Sequence, residues 1–338
     1  MNVEKSEIII EREVRNVAPL VADKFVLTDD NVMRIYGGLL QSAKRVCVIP
    51  HGEDAKTLET AETVLREMAE ERLDRKSKLV AFGGGVVGDL GGFCAAVYMR
   101  GINFINVPTT LLAQLDSSIG GKTGVDLTGY KNMVGAFHLP ERVHICTDFL
   151  KTLPKREVSC GLGEAVKTAL LDERCMKVWT KYTQGEDKTD FFALVESCAR
   201  FKESVTNADF KESGRRKILN LGHTVGHALE YLDSHEKSHG EYVALGLLAE
   251  AAIAHDLGVL TKESREFIEK KVSPIVDRDG RKLFSKFSAE EIARAATADK
   301  KNSEGKISVV VSERYRQTEF WLTERELAAE AEKCLSNL

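Results

Sequence analysis

The sequence predicts an α/β fold in the N-terminal half, with a parallel sheet covered on both faces, followed by a mostly α-helical C-terminal half. Three observations lead there. Short runs rich in β-branched and aromatic residues alternate with helical patterns as far as Leu153. A glycine-dense stretch, GGGVVGDLGGF, joins a strand to a helix. Beyond Pro154 most segments repeat their apolar residues at helical spacing, and only one of the six prolines, Pro274, lies there. The expected boundary gives an α/β part, 1–153, and a mostly helical part, 154–338.

Taken in order, SEIIIEREV predicts a strand over 6–14, and DKFVLTDDNV a strand ending in an acidic turn. RVCVIP is a strand stopped by Pro50. HGEDAKTLETAETVLREMAEERLD carries Leu58, Ala61, Val64, Leu65 and Met68 on one face, with charges between them, and predicts a helix. KLVAF is a buried strand entering Gly83. VGDLGGFCAAVYM predicts a helix whose glycines imply close packing. INFINVP is a strand ended by Pro108, and TTLLAQLDSSIG a short helix capped by Thr109 or Thr110. Lys122 in GGKTG and Lys131–Asn132 in GYKNMVG are expected in glycine-flanked turns, where a lysine points at something. In the second half KREVSCGLGEAVKTALL, FFALVESCARFKESV, RRKILNLGHTVGHALEYL, EYVALGLLAEAAIAHDLG and AEEIARAATAD predict helices. Only ISVVVSE and its neighbours read as extended.

The 52 acidic and 48 basic residues give a net charge of −4, with no basic run to form a nucleic-acid-binding face. Apolar runs are too short to span a bilayer. The N-terminus, MNVEKSEIIIEREV, carries charges where a signal peptide needs an apolar stretch. The seven widely spaced cysteines form no CxxC pair, which fits reduced, buried thiols and a cytoplasmic protein.

Gly83, Gly85 and Gly88 satisfy G-x-G-x-x-G between a strand and a helix, but the acidic residue expected about 20 positions on for a ribose is absent. The glycines alone suit a phosphate-binding turn and an ordinary tight turn equally. Asp89 follows at the helix start, either complementing the helix dipole or accepting hydrogen bonds from a cofactor. His223 and His227 lie four apart on one helical face, and His239 follows in HGE. Spacing alone selects His223 and His227 as a chelating pair, with His239 nearby, because i,i+4 histidines commonly hold a metal. His51, His138, His144, His235 and His255 read as structural. Any single cation among Arg100, Lys122, Lys131, Lys167, Lys202, Arg216, Lys300 and Lys301 reads as surface charge. Their density beside the glycine turn points to an anionic substrate.

The segments GGGVVGDLGGF, VPTTLLAQLDSSIGGKTGV, KNMVGAF, GEAVK, LNLGHTVGHA and HGE together resemble the 3-dehydroquinate synthase family over nearly the whole chain. The resemblance implies a Rossmann-like NAD-binding N-terminal domain and a mostly helical C-terminal domain. It implies conversion of 3-deoxy-D-arabino-heptulosonate 7-phosphate to 3-dehydroquinate and phosphate, a step of the shikimate pathway. NAD and a divalent metal, zinc or cobalt, are the implied cofactors, and a cytoplasmic homodimer the implied assembly. Residue by residue, it makes Glu164, His223 and His239 the metal ligands, against the spacing argument. It leaves His227 as a catalytic histidine facing the substrate. Glu53, Lys56, Gly85, Gly88, Asp89, Thr109, Thr110, Lys122, Lys131, Phe149 and Thr152 match cofactor positions. Asp116, Lys122, Asn132, Lys167, Lys202, Arg216 and Asn220 match substrate contacts. Arg100 matches a residue reaching the neighbouring subunit's site, and one of Lys300 and Lys301 a phosphate contact.

Other readings share the scaffold. Another sugar-phosphate cyclase would depart near GHTVGH or GGKT, and both segments here hold the dehydroquinate pattern. A polyol dehydrogenase of the glycerol dehydrogenase type would start its ligand set with an aspartate, where this chain has Glu164. A catalytically silent subunit would have lost one of Glu164, Lys122, Asn132 or His227.

Overall fold

The computed structural model describes residues 5–128, 130–185, 188–234, 236–297 and 305–335; His235, Lys300 and Lys301 lie outside them. The chain divides into two compact units. One comprises 1–153 with 202–211, and the other 154–201 with 212–338.

In the first unit the strands are β1 (Glu7–Glu11), β2 (Phe25–Asp29), β3 (Arg45–Ile49), β4 (Lys78–Gly83), β5 (Asn103–Pro108) and β8 (Arg142–Cys146). They form a six-stranded sheet in the order β1-β8-β5-β4-β2-β3, parallel throughout. The helices are α1 (Ala18–Val21), α2 (Asp30–Tyr36), α3 (Leu58–Glu70) and α4 (Gly85–Val97). All five residues of β2 are buried, the polar Thr28 and Asp29 included, as expected of a strand covered on both faces. The acidic turn expected after it is a helix start: Asp29 caps α2 by accepting from Val32 N at 2.8 Å. Thr57 caps α3, which buries Ala61, Val64 and Met68 as its spacing requires. The short helix expected after β5 is present as one wide turn over Ala113–Ser117, and Thr110, rather than Thr109, caps it, its Oγ1 accepting from Ala113 N at 3.2 Å.

An antiparallel hairpin, β6 (Lys122–Leu127) and β7 (Tyr130–Phe137), packs on α4. Lys122, Lys131 and Asn132 therefore lie on strands, not in the expected turns. Gly120 and Gly121, with φ 99° and 68°, do form the turn before β6, but Gly124 and Gly135 serve close strand pairing. A Cβ on Gly135 would lie 2.3 Å from Thr123 O.

The second unit is built from α5 (Lys155–Leu171), α6 (Glu173–Gln184), most of α7 (Phe192–Ala208), α8 (His223–Leu232), α9 (His239–Asp256), α10 (Lys262–Val272), α11 (Arg278–Arg281), α12 (Leu283–Lys286), α13 (Ala289–Thr297) and α14 (Glu324–Cys334). The segment read as extended forms an antiparallel pair, β9 (Lys306–Glu313) with β10 (Arg316–Thr323). α9 is its central element: Tyr242 through Ala254 are all buried, with Glu250 the one charged residue among them, as suits a helix packed on every side. No helix among the described residues is long and apolar enough to cross a membrane.

Candidate active site

In the second unit two backbone contacts set the geometry. Where α5 meets α9, a Cβ on Gly163 would lie 1.9 Å from Gly240 O, and one on Gly240 would lie 1.8 Å from Cys160 O. Only glycine permits that approach. It brings Glu164, next to Gly163, against His239, next to Gly240. Where α8 meets α9, a Cβ on Gly246 would lie 1.9 Å from Gly222 O, and Gly222 itself is left-handed with φ 75°.

The result is a cluster of donors. Glu164 is 1 % exposed, and its Oε1 lies 3.4 Å from His223 Nε2 and 3.3 Å from His239 Nε2. His227 completes the group: ligand atoms of His223, His227 and His239 all lie within 4.8 Å of one another. The other ring nitrogens are occupied, His223 Nδ1 3.0 Å from Leu221 O and His239 Nδ1 3.0 Å from Glu230 Oε2. Such outer bonds fix which nitrogen faces inward. Burial pushes His223 down to about 3 despite Glu164, so the ring is neutral with a lone pair to offer. Burial also opposes charge on His239, but its hydrogen bonds to Glu164 and Glu230 outweigh this and raise it to about 10, so without a metal this ring carries a proton that a bound cation would displace. Burial would raise Glu164, yet Lys167 and His223 hold its carboxyl well below the ordinary range. Lys167, 2 % exposed, pairs with Glu164 Oε2. Convergent imidazole and carboxylate donors fit a zinc- or cobalt-like cation. The chain thus brings together both the spacing-selected pair and the set with Glu164.

Arg216 and Asn220 belong to the same unit. Arg216 is 2 % exposed, and Asn220 Nδ2 donates to Glu212 Oε1 at 2.9 Å. Glu230 was not foreseen, although it lies seven residues after His223 and three after His227, on the same helical face.

The first unit gathers the rest. β4 ends at Gly83, Gly84 caps α4, and Thr109 N donates to Gly83 O at 2.9 Å. A Cβ on Gly84 would lie 2.9 Å from Thr110 Cγ2, and one on Gly88 3.0 Å from Asn106 Nδ2. The turn is therefore tight, its helix N-terminus at the carboxyl ends of adjacent strands, where α/β sheets bind ligands. Lys56, 4 % exposed, reaches Asp89 Oδ2 at 2.7 Å, Asn132 Oδ1 at 2.7 Å and Glu53 Oε1 at 3.5 Å. Burial would lower its ammonium, but Asp89 and Glu53 hold it above the usual lysine range. Asn132, with φ 51°, also donates its N–H to Asp126 Oδ1 at 2.6 Å. No motif marked Asp126. Lys202 pairs with Asp116 at 2.6 Å. Gly85 opens α4; Lys122 and Lys131 are exposed on the hairpin. Thr152 Oγ1 meets Tyr36 Oη at 2.7 Å. Phe149 is 1 % exposed, its ring edge-on to Tyr36 at 4.9 Å and tilted against Phe82 at 5.3 Å, and its carbonyl accepts from Tyr36 Oη at 3.3 Å and Thr152 Oγ1 at 3.1 Å. Arg100 is exposed, with φ 68°, directly after Met99 with φ 49°.

Comparison with known proteins matches the chain in two consecutive parts. The pattern described as 3-dehydroquinate synthase N-terminal matches residues 46–160, and that described as 3-dehydroquinate synthase C-terminal matches 161–302. The chain is 42% identical over 323 residues to the 3-dehydroquinate synthase of Alkaliphilus metalliredigens, covering 91% of this chain and 89% of that protein. It is 44% identical over 264 residues to that of Thermococcus kodakarensis, covering 78% and 74%. Among solved structures, 2-epi-5-epi-valiolone synthase from Streptomyces hygroscopicus subsp. jinggangensis, with NAD+ and Zn2+ bound, shares the fold. Its TM-score is 0.83 at 22% identity, over 100% of this chain and 98% of that one. A 2-deoxy-scyllo-inosose synthase complexed with carbaglucose-6-phosphate, NAD+ and Co2+ shares it with a TM-score of 0.81 at 22% identity, over 97% and 96%.

Proposed function

We propose that this chain, which belongs to the 3-dehydroquinate synthase family, converts 3-deoxy-D-arabino-heptulosonate 7-phosphate to 3-dehydroquinate and phosphate. The observation that carries the reading is the buried Glu164 carboxylate set between the Nε2 atoms of His223 and His239. Those three are the proposed ligands of a zinc or cobalt ion, and the outer bonds from His223 to Leu221 and from His239 to Glu230 support the choice.

When bound, NAD supplies a reversible hydride acceptor for the substrate's C5 hydroxyl, and the cation supplies positive charge for that oxygen. The turn from Gly83 through Gly88, with Asp89, Thr109, Thr110, Glu53, Lys56, Lys131, Phe149 and Thr152, is the proposed dinucleotide site. Asp116, Lys122, Asn132, Lys167, Lys202, Arg216 and Asn220, which match the family's substrate contacts, are proposed to hold the carboxylate, hydroxyls and phosphate. Holding them is a large part of the catalysis. His227 is the proposed proton-moving group: it takes the C5 hydroxyl proton as C5 becomes a ketone and returns it when C5 is reduced again; in between, the acidified C6 loses its proton and phosphate leaves C7, and ring opening with intramolecular aldol closure then gives the carbocycle. Arg100 is proposed to reach the partner subunit's site in a homodimer. The seven free cysteines, all buried, suit a reducing cytoplasm.

The test follows phosphate release from the heptulosonate 7-phosphate and NADH absorbance together. The expected result is phosphate release that requires NAD and metal, with no net NADH, and 3-dehydroquinate as product. Net NADH from polyols, without phosphate, replaces this reading with a dehydrogenase. Phosphate release only from seven-carbon sugar phosphates lacking the carboxylate replaces it with another cyclase.

A further inference from the structure

The helix that presents His223 and His227 has no cap of its own. A helix start normally takes a local Ser, Thr, Asp or Asn, whose side chain accepts from the first amides. Here the cap position is Gly222, and it must be glycine. Its φ is 75°, and a Cβ there would lie 2.8 Å from Leu247 Cδ2 and 2.9 Å from Val243 O. The free amides are taken instead by Glu250, on the neighbouring α9 and 1 % exposed. Its Oε2 accepts from Gly222 N at 2.9 Å, and its Oε1 accepts from Thr224 N at 2.8 Å and Val225 N at 2.9 Å. Two of these amides flank His223 directly, so one carboxylate holds the backbone on both sides of that residue.

Charge gives the arrangement a second consequence. An α-helix N-terminus carries roughly half a positive charge. His223 is the first residue of α8, so a cation on its imidazole sits beside that positive end. A buried carboxylate on the amides offsets the repulsion.

We propose that Glu250 is a positioning residue for the metal centre, acting through the amides of Gly222, Thr224 and Val225 to set the place of His223 and the field at the start of α8. The proposal rests on the reading of Glu164, His223 and His239 as metal ligands. Glu250 serves no ligand itself; it makes a glycine-started helix able to present a histidine to a cation.

The experiment measures Co2+ affinity by chelator competition, together with the Co2+ ligand-field spectrum, on the purified full chain well below its unfolding temperature. Glu250→Gln, nearly isosteric but uncharged and turning a donor toward one amide, is expected to weaken Co2+ binding roughly 10- to 100-fold, the size typical of outer-shell partners, and to alter the spectrum. Leu327→Ala, in the buried core of α14, is the control for lost stability alone: it is expected to lower Tm and leave Co2+ affinity and spectrum unchanged. A folded Glu250→Gln protein with wild-type affinity and spectrum overturns the proposal, as does an equal loss of affinity in Leu327→Ala. If Glu250→Gln does not fold, Glu250→Asp, too short to span all three amides, is judged by the same two outcomes. Glu164→Ala and His223→Ala separate the underlying reading: wild-type Co2+ affinity in both removes the metal site itself, whatever Glu250 does.

Discussion

The two units hold their functional side chains by different means. In the second, Glu164, His223 and His239 are placed by backbone touching backbone, at glycines where α5 and α8 cross α9. In the first, Lys56, Asp89, Asn132 and Glu53 are placed by one another, through ion pairs and hydrogen bonds from a buried lysine to groups on α4, on an exposed hairpin and on a short turn. The difference teaches where rigidity is needed. A metal centre tolerates little error in donor position, and helices locked at glycines supply it. A site for a large, flexible dinucleotide can be held by side chains that exchange partners when the ligand arrives.

That contrast can be broken or sharpened. His227→Ala is expected to have the largest effect: turnover falls by about 100- to 10,000-fold, the usual worth of a general acid–base group, while metal and NAD affinity hold. Loss of metal from that variant would put His227 among the ligands, as the i,i+4 spacing suggested. Glu164→Ala is expected to reduce metal affinity by more than the roughly 10- to 100-fold typical of an outer-shell change, leaving NAD binding to the first unit intact. Chelator competition and NAD titration read the two separately. Gly240→Ala introduces one carbon at 1.8 Å from Cys160 O, which neither helix can absorb without moving. It is expected to cost about 3 kcal/mol or more of stability, at the upper end of overpacking changes, and to weaken metal binding with it. Wild-type Tm and metal affinity there would mean that the crossing is softer than it looks. Lys56→Met is the smallest: NAD affinity is expected to fall by about tenfold, the loss of roughly one hydrogen bond to a charged group, with metal affinity unchanged. An equal fall in both affinities would remove the contrast between the units.

Much of this was legible in advance. The strand–helix alternation, the glycine turn after β4 and the helical second half follow from local periodicity, and local periodicity reflects which face must be buried. The hairpin of β6 and β7 was missed because its glycines look like turn glycines when only the chain is read. Gly120 and Gly121 do make a turn, with φ 99° and 68°, while Gly124 and Gly135 serve close approach to another strand, as Gly135 makes to Thr123. The acidic residues at the end of β2 suit a turn and a helix cap equally, and only the hydrogen bond from Val32 N decides for the cap.

The sequence by itself determined the fold class, the order of elements, the glycine motif and, through its segments, the family. Each of these depends on neighbours along the chain, where spacing and side-chain chemistry are read directly. Tertiary structure decided which groups meet. Glu164 and His239 are 75 positions apart in sequence. They face each other because Gly163 and Gly240 let two helices touch. Lys56 and Asn132 are 76 apart and share a hydrogen bond because the hairpin folds over α4. Glu250, an ordinary glutamate in an alanine-rich helix when read along the chain, becomes the cap of another helix only once α8 lies against α9. Spacing along a chain constrains residues within one turn or one strand; longer separations are set by packing.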